Sequence, residues 1–184
     1  LSDILVWGTS TIASPLLAIY LSGKFGGNTI EYIGIGTAIY FAVRSFVQLP
    51  IGMLTDRIKH DKDEIFFLML GCILMGIPYL LYALVTDASQ YYILMGLGGL
   101  GASMNLNNWR KLFAKNLDKN KEGYQYGIYE TVMSISTAGF GLLGGYLGNL
   151  SPQIFEAVIT SVGFFVLAGG MIAISLLWNR RKSY

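Results

Sequence analysis

A chain of 184 residues that is 53% hydrophobic and only 13% charged, with a mean hydropathy of +0.52, lies far from a soluble domain, where roughly 25% of residues are charged. A net charge of +2 leaves no electrostatic footprint for nucleic acid, and the single cysteine, Cys72, excludes an intramolecular disulfide. The composition is that of an integral membrane protein, and at about 20 apolar residues per crossing the length allows roughly six spans.

In chain order the first expected span covers about residues 3–21 and leaves through the turn-rich run from Ser22 to Asn28. The second covers about 31–54 and breaks off into Thr55-Asp56-Arg57-Ile58-Lys59-His60-Asp61-Lys62, a wet loop between two apolar runs. The third covers about 65–85, with Pro78 inside it as a kink. A tight connection at Thr86-Asp87-Ala88-Ser89-Gln90 leads to the fourth, about 91–109, which is followed by a basic segment. The fifth covers about 123–147 and the sixth, entered through Ser151-Pro152, about 153–178. Runs this long without alternation are helices, so the expected fold is all-α: one polytopic six-helix domain over residues 1–184.

Basic residues set the orientation. Of thirteen, Arg57, Lys59 and Lys62, the five from Arg110 to Lys121, and Arg180, Arg181 and Lys182 fall on one side, and Lys24 alone on the other. The excess marks the cytoplasmic face, which places both ends of the chain inside a cell (inner or plasma) membrane. The thirteenth, Arg44, lies within the second span, ten residues before Leu54 and hence about 15 Å deep at about 1.5 Å per residue.

An ionisable residue at that depth requires protein or water around it, which makes Arg44 a candidate functional residue. Thr37, Tyr40, Arg44 and Gln48 share one helical stripe with it. Comparable stripes run through the first span (Asp3, Trp7, Ser10, Ser14), the fourth (Gly98, Gly101, Asn105, Asn108) and the fifth (Tyr126, Glu130, Ser134, Thr137, Gly141). The third and sixth have no charged residue within their apolar cores. Four helices around a cavity or interface, with two turned to lipid, is the arrangement expected; small polar residues at this spacing also serve helix packing alone.

The loop Gly52-Met53-Leu54-Thr55-Asp56-Arg57 with its basic run, between the second and third of six spans, resembles the loop signature of the major facilitator superfamily of secondary transporters. Lys59 stands where that signature has its second glycine. Lys121-Glu122-Gly123 leading into Tyr126-Gly127-Ile128-Tyr129 also looks like the family's entry to its fifth helix. Tyr92 replaces an arginine common in the fourth helix, and Gly141 replaces the proline of the antiporter motif, though Gly144 and Gly145 follow it as the motif has them; proton-coupled drug export is not what these motifs support.

The resemblance implies that the first and fourth helices line a cavity, the second and fifth meet an opposite half, and the third and sixth lie outside. Members ordinarily carry two such halves. One half implies a second, and the expectation is a homodimer about an axis along the membrane normal, the second span of one subunit against the fifth of the other. Gly52 would admit the partner helix, Asp56 would face the N-terminus of the partner's fifth span, and Arg44 would pair with Glu130 across the interface. That pair is expected to switch with the transport cycle; a static pair, or Arg44 as ligand of an anionic substrate, are the alternatives.

Asp3 is a candidate for a coupled proton or cation, although an acid in a first turn ordinarily caps its helix. Trp7 is expected on the cavity floor or at the membrane interface. Asn105 and Asn108 complete the candidate polar lining. His60 sits among solvated charges, and the absence of any His/Cys cluster, phosphate loop or nucleophile constellation points away from an enzyme, a metal site or a cofactor. The function expected is alternating-access transport of a small molecule, unidentified as a polar or anionic compound, a sugar or an amphiphile. A non-transporting assembly or binding subunit, or a fragment of a twelve-span transporter, are the competing expectations.

Overall fold

A computed structural model describes residues 1–57 and 61–180; Lys59, His60, Arg181 and Lys182 lie outside the described residues, as do the side chains of Ser14, Lys62 and Arg180. The described chain is helical. A π-helical turn at Ile4–Gly8 runs into α1 (Thr9–Phe25), a 3-10 turn at Gly26–Asn28 reverses the chain into α2 (Thr29–Arg57), and α3 (Asp61–Leu81) ends in a 3-10 turn at Tyr82–Leu84. Then follow α4 (Ala88–Lys115), α5 (Glu122–Gly148) and α6 (Pro152–Arg180).

Local chemistry explains the breaks. Gly26 takes φ +68°, which a side chain would resist, and so α1 stops there. At the start of α4 the Asp87 carboxylate accepts from the Gln90 backbone N–H at 3.0 Å, while the Gln90 amide oxygen accepts from the Thr86 N–H at 2.9 Å: a reciprocal cap. Ser151 caps α6 by accepting from the Ile154 N–H at 3.2 Å, with Pro152 in the first helical position where no donor is needed. Asn120 at φ 65° turns the chain into α5.

The helices overrun the expected spans at their wet ends, α4 by six residues beyond Trp109. Among the described residues three stretches, not six, are both long and apolar enough to cross a membrane: Pro15–Arg57, Glu64–Leu84 and Pro152–Ser175. The first, at 43 residues, contains the reversal between α1 and α2. Helices α4 and α5 are long enough, at 28 and 27 residues, but their asparagines, glycines, serines and Glu130 dilute the apolar run.

Packing concentrates on one side. Helix α3 lies against both α4 and α6, and α4 also against α2. The α3–α4 crossing brings backbones together: a Cβ on Gly101 would stand 2.7 Å from the Gly71 carbonyl oxygen, and one on Gly71 2.6 Å from the Asn105 nitrogen. Cys72, Ala102, Val166 and Ala173 form part of the core cluster there. This corrects the expectation that the third and sixth helices face only lipid, since 44% and 39% of their apolar windows are buried against 6% for Pro15–Arg57.

Candidate functional site

Two ends of the bundle are held by charge. At one, Lys24 of α1 donates to the carbonyls of Ala83 (2.6 Å) and Val85 (3.1 Å), closing the end of α3, and lies 4.9 Å from the Tyr20 ring centroid. At the other, Lys111 of α4 bridges Asp56 of α2 (3.0 Å) and Glu64 of α3 (2.9 Å), Lys115 adds a second contact to Glu64 at 2.7 Å, and Lys111 also donates to the Thr55 carbonyl at 2.7 Å. Burial works against the Lys111 ammonium, but hydrogen bonds to Glu64 and Asp56 outweigh it and raise its pKa above the ordinary lysine value. The Glu64 side chain is 1% exposed, and its Oε2 has no hydrogen-bond partner among the described residues.

Asp56 was expected beside a partner helix; within the chain it answers Lys111, with 72% of its side chain exposed. Gly52 faces Asn107 of α4, whose Nδ2 donates to the Gln48 carbonyl at 2.6 Å, so its first close neighbour belongs to its own chain. Gln48, Gly52, Asp56, Asn107 and Lys111 line an open crevice of about 620 Å³ between α2 and α4. Arg57 is exposed.

A second cavity, of about 220 Å³, lies among α1, α2, α3 and α4. Trp7 and Tyr40 line it, with Ser10 and Thr37 of the same polar stripes. The third helix, expected outside, supplies Met75, Pro78 and Tyr79 to the wall, and Tyr82 follows from its 3-10 end. Thr11, Thr37 and Phe41 are exposed at its mouth, whereas Leu17, Met75, Pro78 and Tyr82 are buried at its base. Arg44 is not a wall residue: half-buried, it lies beside the Tyr40 hydroxyl, its guanidinium 5.9 Å from the Phe41 centroid.

Two of the three asparagines of α4, Asn105 and Asn108, are core residues. Asn105 is 1% exposed, its Oδ1 accepting from Trp7 Nε1 at 2.9 Å and its Nδ2 donating to Cys72 Sγ at 3.1 Å, so it is not a free cavity ligand. What it does is fix the Trp7 ring against the cavity. Asn108 donates to the Met104 carbonyl at 2.7 Å, and its buried Oδ1 has no partner among the described residues. Asp3 does not cap a helix: its buried carboxylate accepts from the Tyr129 hydroxyl of α5. Tyr129 in turn stacks with Trp109 at 4.6 Å and Phe113 at 5.2 Å, and Tyr126 meets Phe113 at 5.0 Å, an aromatic cluster joining α4 and α5. Glu130 is an exposed residue of α5, close enough to Asp3 and Tyr129 for its charge to be felt at both.

Sequence reasoning missed Glu64, Lys111, Tyr79, Tyr82 and Tyr129. A signal existed for the first two: an acid opening α3 opposite lysines at i and i+4 near the end of α4. Among the described residues no group of three or more potential metal ligands converges.

Long apolar helices around an aromatic cavity, with the ion pairs among the described residues gathered at one end, mark a membrane-embedded helical protein. The whole chain, residues 1–183, matches the Major Facilitator Superfamily, and it belongs to that family of transporters. Among curated proteins it is similar to an uncharacterized MFS-type transporter of Methanocaldococcus jannaschii, 24% identical over 116 residues. That match covers 63% of this chain and 27% of the relative, so the similarity spans about a quarter of the longer protein. No solved structure matches the chain.

Proposed function

We propose that the chain is one six-helix half of a secondary transporter for a small molecule, crossing the membrane six times with both ends cytoplasmic, and that it works by alternating access after pairing with a second copy. The observation that carries this reading is the uncovered state of α2 and α5. Only 6% of an 18-residue apolar window within Pro15–Arg57 is buried, and on α5 Gly144 is the one buried residue, while Phe46, Leu49, Ile135 and Leu142 stand exposed. Faces that carry Arg44 and Glu130 as well as apolar residues suit a protein partner better than lipid alone. The ends of α2, α3 and α4 that meet through Lys111 carry the basic excess, and Lys24 caps the opposite end, an arrangement that supports the cytoplasmic assignment.

In the assembled protein α2 of one subunit lies along α5 of the other, and Arg44 leaves the Phe41 ring to meet Glu130. The charge swap tests this. Arg44→Glu and Glu130→Arg each lower the dimer fraction in nanodiscs and the double exchange restores it; a double variant as monomeric as the singles removes the pairing. The span of the relative favours one second reading: a longer polypeptide supplies the other half, and its α2-like and α5-like helices then occupy the same two faces.

A further inference from the structure

The cavity between α1 and α4 narrows what such a transporter carries. Its walls combine Trp7, Tyr40, Phe41, Tyr79 and Tyr82 with Leu17, Met75, Pro78 and Met95, and no acidic or basic side chain is among them. Ser10, Thr11, Thr37 and the hydroxyls of Tyr40, Tyr79 and Tyr82 are the polar groups of the wall, with the Tyr82 hydroxyl donating to Met95 Sδ at 3.4 Å and that of Tyr40 paired with Arg44. Of these Ser10 and Thr11 already donate to backbone carbonyls of their own helix, to Val6 and Trp7, and Ser10 is also hydrogen-bonded to Tyr79, which leaves the Thr11 oxygen as an acceptor. The lining is therefore mainly aromatic and aliphatic, with few hydrogen-bonding positions.

Four ligand classes fit such a wall unequally. An ion would give up its hydration without a counter-charge in the lining, a cost of several kcal/mol. A quaternary or primary ammonium is what aromatic boxes otherwise accept, but here the neighbouring charge is Arg44, beside Tyr40, which repels a cation. A sugar would bring more hydroxyls than the walls can partner, each unpaired one disfavouring binding. A single flat ring stacks against the aromatic faces and leaves one polar substituent for the hydroxyls. Size agrees: about 220 Å³ lies below the range of drug-sized sites, roughly 300–1,000 Å³, and corresponds to about seven waters at about 30 Å³ each.

We propose that this cavity binds a small uncharged molecule built on one apolar ring and bearing a single hydroxyl or carbonyl group, entering past Thr11, Thr37 and Phe41. That the bound molecule is the transported one rests on the transporter reading above; the binding itself does not. Trp7 closes one wall and is held in place by Asn105. Gly98 leaves the space open: a Cβ there meets the Tyr40 ring at 3.7 Å and Pro78 at 3.9 Å, ordinary contacts, so a larger side chain can occupy the cavity without displacing backbone.

The test is saturable binding of radiolabelled benzyl alcohol to the full chain in nanodiscs, competed by unlabelled benzyl alcohol, benzoate and benzylammonium. The expected result is about one site per chain, with both ions at least about tenfold weaker competitors than the alcohol. Gly98→Ala keeps the site and Gly98→Leu removes it; the competition series on the unaltered chain decides the matter even if the leucine variant does not fold. Absence of saturable binding above partition into lipid, an ion that competes as well as the alcohol, or unchanged binding in a folded Gly98→Leu protein overturns the proposal. The outcome separates from that of the two-halves reading: a dimer that binds none of these rings loses the ligand class alone, and a monomer that binds the alcohol loses the homodimer alone.

Discussion

The seam between α3 and α4 and the outer face of α5 are both rich in glycine, and they differ in what lies beyond it. At Gly71 and Gly101 a neighbouring backbone already fills the space that a side chain would take. At Gly127, Gly139, Gly141 and Gly145 nothing stands within 4 Å of an added Cβ. Small residues admit close helix approach in either case, so the first set marks a contact made within the chain and the second the face on which the proposed partner helix would lie.

Substitutions that break the comparison rank accordingly. Gly101→Leu forces a side chain into the α3 backbone and is expected to cost at least about 3 kcal/mol, seen as loss of the folded, monodisperse protein on extraction; a well-folded Gly101→Leu protein would mean that α3 and α4 do not touch there. Glu64→Ala removes the carboxylate that Lys111 and Lys115 share at the end of the bundle, while Lys111 keeps Asp56. Because both lysines reach water, the expected loss is about 2 kcal/mol rather than the 3–5 of a fully buried pair, read as a lower thermal midpoint, and Glu64→Gln recovers part of it. Asn105→Ala removes one hydrogen bond to Trp7 and one to Cys72 and costs about 1 kcal/mol, with a shift in Trp7 emission as its ring loosens. Gly141→Leu changes the stability of the monomer by no more than about 0.5 kcal/mol, yet it lowers the dimer fraction. An equal thermal loss in Gly141→Leu and Gly101→Leu would erase the distinction between the two glycine sets.

The helices were legible because long runs without alternation read as helix, and the glycine and proline signals fell where the chain turns, at Gly26 and at Ser151-Pro152. Helical periodicity also placed Trp7 and Tyr40 on faces that line the 220 Å³ cavity. It misjudged α3, because a stripe was sought among charged and strongly polar residues. Tyr79 and Tyr82 carry their hydroxyls on aromatic bodies that count as apolar, and so the wall they build left no polar stripe. Asn105 failed in the opposite sense. Its polarity suggested a ligand, but polarity in a one-dimensional stripe does not distinguish a cavity donor from a residue satisfied by Trp7 and Cys72. Asp56 found Lys111 before any partner because α4 runs six residues past Trp109, a length that composition after Trp109 did not reveal.

The account stands on the claim that the α2 and α5 faces are covered by a second half, and the mass of the purified chain in nanodiscs, measured by native mass spectrometry, tests it directly. A particle containing two chains of 20.2 kDa is the predicted result, with Arg44→Glu shifting it toward one. A stable single chain of 20.2 kDa at every protein and lipid ratio contradicts the homodimer and leaves those two faces to a different partner.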